Sequence, residues 1–167
     1  MLKLATVYPA SRFVGYDQFA PAIALATARS QAAGVAERLR FVALDVANGL
    51  DERFDFIMTH DVIHDMADPL GGLRVIHDAL HPDGVYLMRE PMAAERLEEN
   101  VGLAGAFRYS ISLLYCLPTA LAGGAAGLGA MGMSETVVHD LCERAGFGSV
   151  DRLPIEDPFD AFYAIQR

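Results

Sequence analysis

The sequence predicts an α/β protein built on a doubly wound, mostly parallel sheet. Three observations predict it. Short apolar runs of strand length alternate with longer runs at helical spacing. Glycine, proline and asparagine punctuate the boundaries. The predicted strands end on polar residues, namely Asp17, Asp45, His60-Asp61 and Glu90. In such sheets ligands sit beyond the carboxyl ends of the strands, so these residues mark one functional edge. At 167 residues and 18.0 kDa the chain has the length of one domain.

Each element has a local reason. Residues 11–16 read as a short strand ending at Asp17. Residues 21–33 read as a helix, with Pro21 suited to a first turn, alanines through the body and Gly34 as the stop. Residues 39–44 form a second strand ending at Asp45, and Asn48-Gly49 breaks the chain. Residues 54–60 are apolar almost throughout, as expected of a strand covered on both faces. Residues 69–80 place Leu70, Leu73, Ile76, Ala79 and Leu80 at helical spacing. His81-Pro-Asp-Gly84 is a turn, and residues 85–89 are a fourth strand ending at Glu90. Residues 93–100 carry charges and read as a short surface helix. Ser134, with Glu135 in the first turn, starts a helix that runs to Ala145 and stops at Gly146. Residues 150–155 and 161–166 close the chain as an antiparallel pair across Glu156-Asp157-Pro158.

Composition narrows the function. Hydrophobic residues make up 53 %, mean hydropathy is +0.25 and net charge is −9, which excludes wholesale disorder. The acidic balance opposes binding to a nucleic-acid backbone. Cys116 and Cys142 form no CxxC pair, and His77, His81 and His139 sit in no carboxylate cluster at metal spacing, so no metal is expected. Two buried thiols and a start without a signal-peptide pattern suit the cytoplasm. Tyr109–Met133 carries no charge and is long enough to span a bilayer. Pro118 and glycines 123, 124, 127, 129 and 132 interrupt it, so two short helices forming an apolar lid or pocket wall are expected rather than a membrane span.

Two acids ending consecutive strands are the first candidates. Asp17 can accept from both hydroxyls of a ribose, or cap the turn that follows. Asp45 can accept from an adenine amino group with Val46 packed on the ring, or serve as a turn carboxylate. Glu90 can touch substrate or pair with Arg89, and the residues alone do not separate the two.

The stretches SRFVGYDQFAPAIALATARSQAAGVAERLRFVALDVA, FDFIMTHDVIHDMADPLGGLRVIHDALHPDGVYLMREP and LCERAGFGSV, with the ending FDAFYAIQR, resemble class I S-adenosylmethionine-dependent methyltransferases. The resemblance covers nearly the whole chain and implies a Rossmann-like methyltransferase sheet with an antiparallel C-terminal strand. It implies S-adenosylmethionine as cofactor, with Asp17 on the ribose, Asp45 and Val46 on the adenine, and His60 near the methionine moiety. Residues 92–133 are similar to an insertion that forms the substrate side of the cleft in a bacterial subgroup. Val62-Ile-His64-Asp65-Met-Ala-Asp68 resembles the His-Asp-x-x-Asp stretch of small-molecule O-methyltransferases, in which the histidine deprotonates a substrate hydroxyl. An imidazole suits that task near neutral pH, and a nearby carboxylate such as Asp65 can fix its tautomer. The bland alternative is that His64 and Asp65 cap the helix starting at Pro69.

The resemblance implies a single methyltransferase-like domain over residues 1–167 that lacks the family's first strand and glycine-rich loop. Met1–Tyr8 is similar to the end of the helix after that loop. The missing strand belongs between the strands ending at Asp17 and His60. Direct closure of the sheet, pairing of residues 2–8 as a strand, or a second copy or partner segment would fill the gap. The expected function is methyl transfer to a small, hydrophobic acceptor, with no nucleic acid and no membrane as partner. The rival reading is a non-catalytic remnant of the fold acting as a binding or interaction domain. A weaker rival is a membrane-associated protein using residues 109–133.

Overall fold

A computed structural model of the chain describes residues 1–122 and 127–167. These divide into two compact units, Met1–Gly49 and Leu50–Arg167. The predicted Gly123-Gly124 break lies outside the described residues.

The first unit holds α1 (Leu2–Val7), β1 (Phe13–Asp17), α2 (Ala20–Ala32) and β2 (Leu39–Ala43). β1 and β2 pair in parallel, with Gly15 opposite Phe41 and Asp17 opposite Ala43. A Cβ at Gly15 would stand 2.7 Å from the Phe41 ring, so a larger residue here would have to displace that ring. Pro21 falls in the first turn of α2, and Gly34 follows its end at φ +68°. A small core of Ala5, Val35 and Leu39 is flanked by Leu2, Phe13 and Phe41. Arg38 ties α1 to this unit by donating from Nη2 to the carbonyl of Ala5 at 2.9 Å. Residues 2–7 are therefore helical, which corrects the expectation that residues 2–8 could pair as a strand. The apolar side of Leu2 and Ala5 recurs at a helical interval and packs into the core.

The second unit holds β3 (Phe54–His60), α3 (Pro69–Ala79), β4 (Leu80–Pro91), α4 (Gly102–Ile111), α5 (Leu117–Ala122), α6 (Glu135–Ala145), β5 (Ser149–Arg152) and β6 (Asp160–Gln166). Its sheet runs β3-β4-β6-β5. β3 and β4 are parallel, and β6 is antiparallel to both β4 and β5. Among the described strands of this sheet, β6 alone opposes the common direction, the reversed C-terminal strand that the sequence predicted. The second unit is thus an α/β unit built on a mixed sheet.

β4 starts earlier than predicted. Phe54 pairs with Leu80, and Phe56 with Val85, so His81–Gly84 is accommodated as an irregularity within the strand pairing. The predicted surface helix over 93–100 is reduced to one 3-10 turn, Leu97–Glu99.

The core of the second unit lies on one face of its sheet. Tyr86, Met88, Tyr163 and Ile165 point to that face and meet Leu73 and Ile76 of α3 and Val138, Leu141 and Cys142 of α6. The alternation of buried and half-buried residues along β4 follows from the two-residue period of a strand. Expected cover on both faces of β3 is not found. Ile57 packs against the core, while Phe56 is 51 % and Met58 41 % exposed. Among the described residues β3 pairs only with β4, and β1 only with β2. β1 and β3 belong to separate sheets, so direct strand-to-strand closure, one of the three ways of filling the gap, is not found among the described residues.

α4 runs on through a π-helical turn, Ser112–Cys116, into α5. Gly105, Arg108, Ser112, Cys116 and Ala120 are buried at intervals of three or four residues. Leu103, Leu113, Leu114 and Tyr115 are exposed. No described helix is long and apolar enough to cross a membrane.

Candidate active site

In the first unit, β1 and β2 end side by side on two carboxylates. Asp17 Oδ1 accepts from the backbone N–H of Phe19 at 2.8 Å. Asp45 Oδ1 accepts from that of Ala47 at 3.0 Å and caps the one-turn 3-10 helix Val46–Asn48. The capping role weighed for both acids is therefore real, and it occupies one oxygen of each. The second oxygen of each makes no hydrogen bond among the described residues. Val46 is half-buried and follows directly.

In the second unit the chain turns sharply at the end of β3. Asp61 adopts φ +53°, a left-handed conformation that aspartate tolerates better than most residues. Its N–H donates to the carbonyl of Arg89 at 3.0 Å, and Arg89 Nη1 donates to its Oδ2 at 3.1 Å. Arg89 also pairs with Asp160. His60, predicted near the cofactor's methionine end, is exposed at the close of β3 and lies 3.7 Å from Asp61.

The turn at Asp61 leads into a 3-10 helix, Ile63–Asp65, that carries His64. His64 is 2 % exposed and Glu90, at the end of β4, is fully buried. Glu90 Oε2 lies 2.6 Å from His64 Nδ1. Glu90 Oε1 accepts from the N–H groups of Val62 at 3.1 Å and Ile63 at 2.8 Å. One buried carboxylate thus fixes both the loop backbone and the imidazole it presents. Both oxygens are occupied, which is what a buried carboxylate requires. An ionised Glu90 demands a proton on Nδ1, so the hydrogen bond selects the tautomer.

Asp65 lies on the other side of the ring, with Oδ1 3.2 Å from His64 Nε2. That oxygen is buried and makes no hydrogen bond. Burial alone would lower the pKa of His64. The hydrogen bond and charge of Glu90, with the charges of Asp65 and Asp61, outweigh burial and raise it above the ordinary 6.5. Burial raises the carboxyl of Asp65, against the lowering effect of His64 and the thiol of Cys116. Burial and the neighbouring Asp65 push the Cys116 thiol up to about 11. His64, Asp65 and Cys116 bring ligand-type atoms within 4.8 Å of one another.

The structure therefore brings predicted His64 and Asp65 together and adds Glu90, which the sequence left divided between substrate and Arg89. Arg89 turns instead to Asp61 and Asp160. The signal lay in strand parity: Tyr86, Met88 and Glu90 share one face of β4, and that face is the core. His64 and Asp65 do not cap α3. Asp68 does, accepting from the N–H of Gly71 at 2.9 Å.

A family model described as a methyltransferase domain matches residues 1–109. Among curated proteins, none matches. Solved structures of similar fold include PigF with S-adenosylhomocysteine, at TM-score 0.75 and 21 % identity over 98 % of this chain and 46 % of that one. The mitomycin 7-O-methyltransferase MmcR matches at TM-score 0.74 and 21 % identity, over 98 % of this chain and 44 % of its own. NcsB1, an O-methyltransferase from neocarzinostatin biosynthesis in complex with S-adenosylhomocysteine and 1,4-dihydroxy-2-naphthoic acid, matches at TM-score 0.72 and 20 % identity, over 98 % and 44 %. The chain spans just under half the length of these structures. With the family model covering most of its residues, the chain belongs to the methyltransferase-domain family.

Proposed function

We propose that the chain acts in S-adenosylmethionine-dependent methylation of a hydroxyl on a small, hydrophobic acceptor, in the cytoplasm. The observation that carries this reading is the buried Glu90–His64 pair at 2.6 Å. It fixes the ring with Nδ1 toward Glu90 and Nε2 toward Asp65, and the deprotonated form of that imidazole accepts a proton from a phenol or alcohol at Nε2. His64 takes that proton at Nε2. Glu90 keeps the ring oriented and, with Asp65 on the Nε2 side, stabilises the imidazolium that forms. Removing the proton converts a poor nucleophile into a good one.

The donor set of the first unit fits the adenosine part of the cofactor. Asp17 and Asp45 each offer a carboxylate oxygen without a described partner, suited to the hydroxyls of a ribose and the amino group of an adenine. Val46 supplies an apolar surface for the ring, and His60 is assigned to the methionine end. When bound, S-adenosylmethionine supplies an electrophilic methyl group. β1 and β3 each lie at an edge of their own sheet among the described residues, which supports pairing of a further segment, or a second copy of the chain, with either edge.

Titration with S-adenosylhomocysteine followed by thermal unfolding tests the cofactor assignment. Ligand at 100 times its Kd adds about 2.7 kcal/mol of stability. Methyl transfer from methyl-labelled S-adenosylmethionine to a panel of phenols tests the chemistry. Loss of transfer in His64→Ala with cofactor binding retained supports the base assignment. No stabilisation at millimolar ligand overturns the methyltransferase reading in favour of a non-catalytic domain of this fold.

A further inference from the structure

Arg108 is a buried cation without a described partner. It is 9 % exposed, and neither its Nε nor its Nη1 meets an acceptor among the described residues. A guanidinium stays charged at any physiological pH, and burying it unpaired is costly. Such a group in a folded chain calls for a counter-charge.

The acids around it in sequence and along the site are absent or already committed. Residues 109–133 contain no acidic side chain. Glu98 pairs with Arg96, and Glu99 accepts from the Arg96 backbone. Glu95 accepts from Ser134 and Thr136. Glu90 is committed to His64 and its loop, Asp65 faces His64 Nε2 at 3.2 Å, and Asp160 pairs with Arg89. Arg108 is no helix C-cap either, because the helix runs on and the Arg108 carbonyl accepts from Ser112 N–H.

Its position links it to the candidate base. Arg108, Ser112 and Cys116 form one buried face, and Cys116 closes on His64 and Asp65. Ser112 abuts Gly129, whose N–H donates to the His64 carbonyl at 3.1 Å. The π-helical turn between Arg108 and Cys116 is a feature often found at functional sites. Eight residues of helix separate the two by roughly 12 Å along the axis.

We propose that Arg108 binds the carboxylate of an acidic acceptor, one that carries a hydroxyl at one end for His64 and a carboxylate at the other. The assignment rests on the methyltransferase reading for the role of the hydroxyl. The anion site itself stands on Arg108 alone. A planar carboxylate matches a guanidinium and neutralises it.

The test compares 2-hydroxybenzoate, 4-hydroxybenzoate and 4-hydroxycinnamate with their methyl esters. Binding to the full chain is measured calorimetrically, with and without S-adenosylhomocysteine. At least one acid, with the elongated 4-hydroxycinnamate favoured, is expected to bind tenfold or more tightly than its ester. Arg108→Met is expected to reduce that preference below threefold without lowering the melting temperature, since it removes an unpaired charge. Arg108→Lys, which keeps the charge, should retain part of the preference and serves if the methionine variant does not fold. No acid preference in the wild-type chain, or a preference that survives in both variants, overturns the proposal. Acid preference dependent on Arg108 without methyl transfer supports the anion site while sinking the methyltransferase reading. Methyl transfer to neutral phenols with no acid preference does the reverse.

Discussion

Glu90 Oε2 sits 2.6 Å from His64 Nδ1, and the same carboxylate accepts two backbone N–H groups of the loop that carries the histidine. The end of β4 therefore sets the position of the residue after β3. Removing this carboxylate leaves His64 Nδ1 and the N–H groups of Val62 and Ile63 without their acceptor. Glu90→Ala should lower stability by about 3–5 kcal/mol. Glu90→Gln, which keeps an acceptor for the backbone, should cost clearly less. Urea denaturation of the two variants checks the order.

Stability should depend on pH through the same site. The folded-state pKa of His64 is raised, so its contribution is full below about 6.5 and is lost as pH rises through the folded value. The Asp65 carboxyl is also raised, so its own contribution is likewise lost as pH rises, over a range that begins near the ordinary carboxylate value. The stability difference between the wild-type chain and His64→Gln should therefore be larger at pH 6 than at pH 9. An equal difference at both would show that His64 does not titrate differently in the folded state.

Asp17→Asn separates cofactor binding from folding. The variant keeps the oxygen that accepts from Phe19 N–H and removes the charge. A hydrogen bond to a charged group contributes about 1.5–3 kcal/mol. S-adenosylhomocysteine affinity should fall roughly 10–100-fold, with the melting temperature of the free chain unchanged. Calorimetric titration of the variant is the check.

Gly146 ends α6 at φ +107°, and a Cβ there would stand 3.4 Å from His77 Nε2, an ordinary contact distance. The cost of Gly146→Ala is therefore backbone strain rather than a clash. It should destabilise the chain by about 1–3 kcal/mol, measured by thermal or chemical unfolding.

Much of this fold is legible in the sequence because its local signals agree. Pro21 and Pro69 start α2 and α3, Gly34 follows the end of α2, and α6 is bounded by Ser134, which accepts from Val137 N–H, and by Gly146. Residues 2–7 alternate like a strand yet bury Ala5 as a helix, because Ala5 packs beside Val35 and Leu39. The run Phe54–His60 reads as doubly covered, but its apolar content reflects a strand whose second face carries no helix of its own unit among the described residues. His64 and Asp65 are legible as a motif. Their partner is not, since Glu90 lies 26 residues from His64 and meets it only through the parallel β3–β4 pairing. Arg108 gives no sequence signal, because a charge beside an apolar run reads as a solvated helix end.

The most direct test of the Glu90–His64 assignment is an NMR titration of the His64 ring in the wild-type chain and in Glu90→Gln. The expected result is a proton on Nδ1 in the neutral form, a pKa above 6.5 in the wild type, and a lower pKa in the variant. A wild-type pKa at or below 6.5, or a value that Glu90→Gln leaves unchanged, would contradict it.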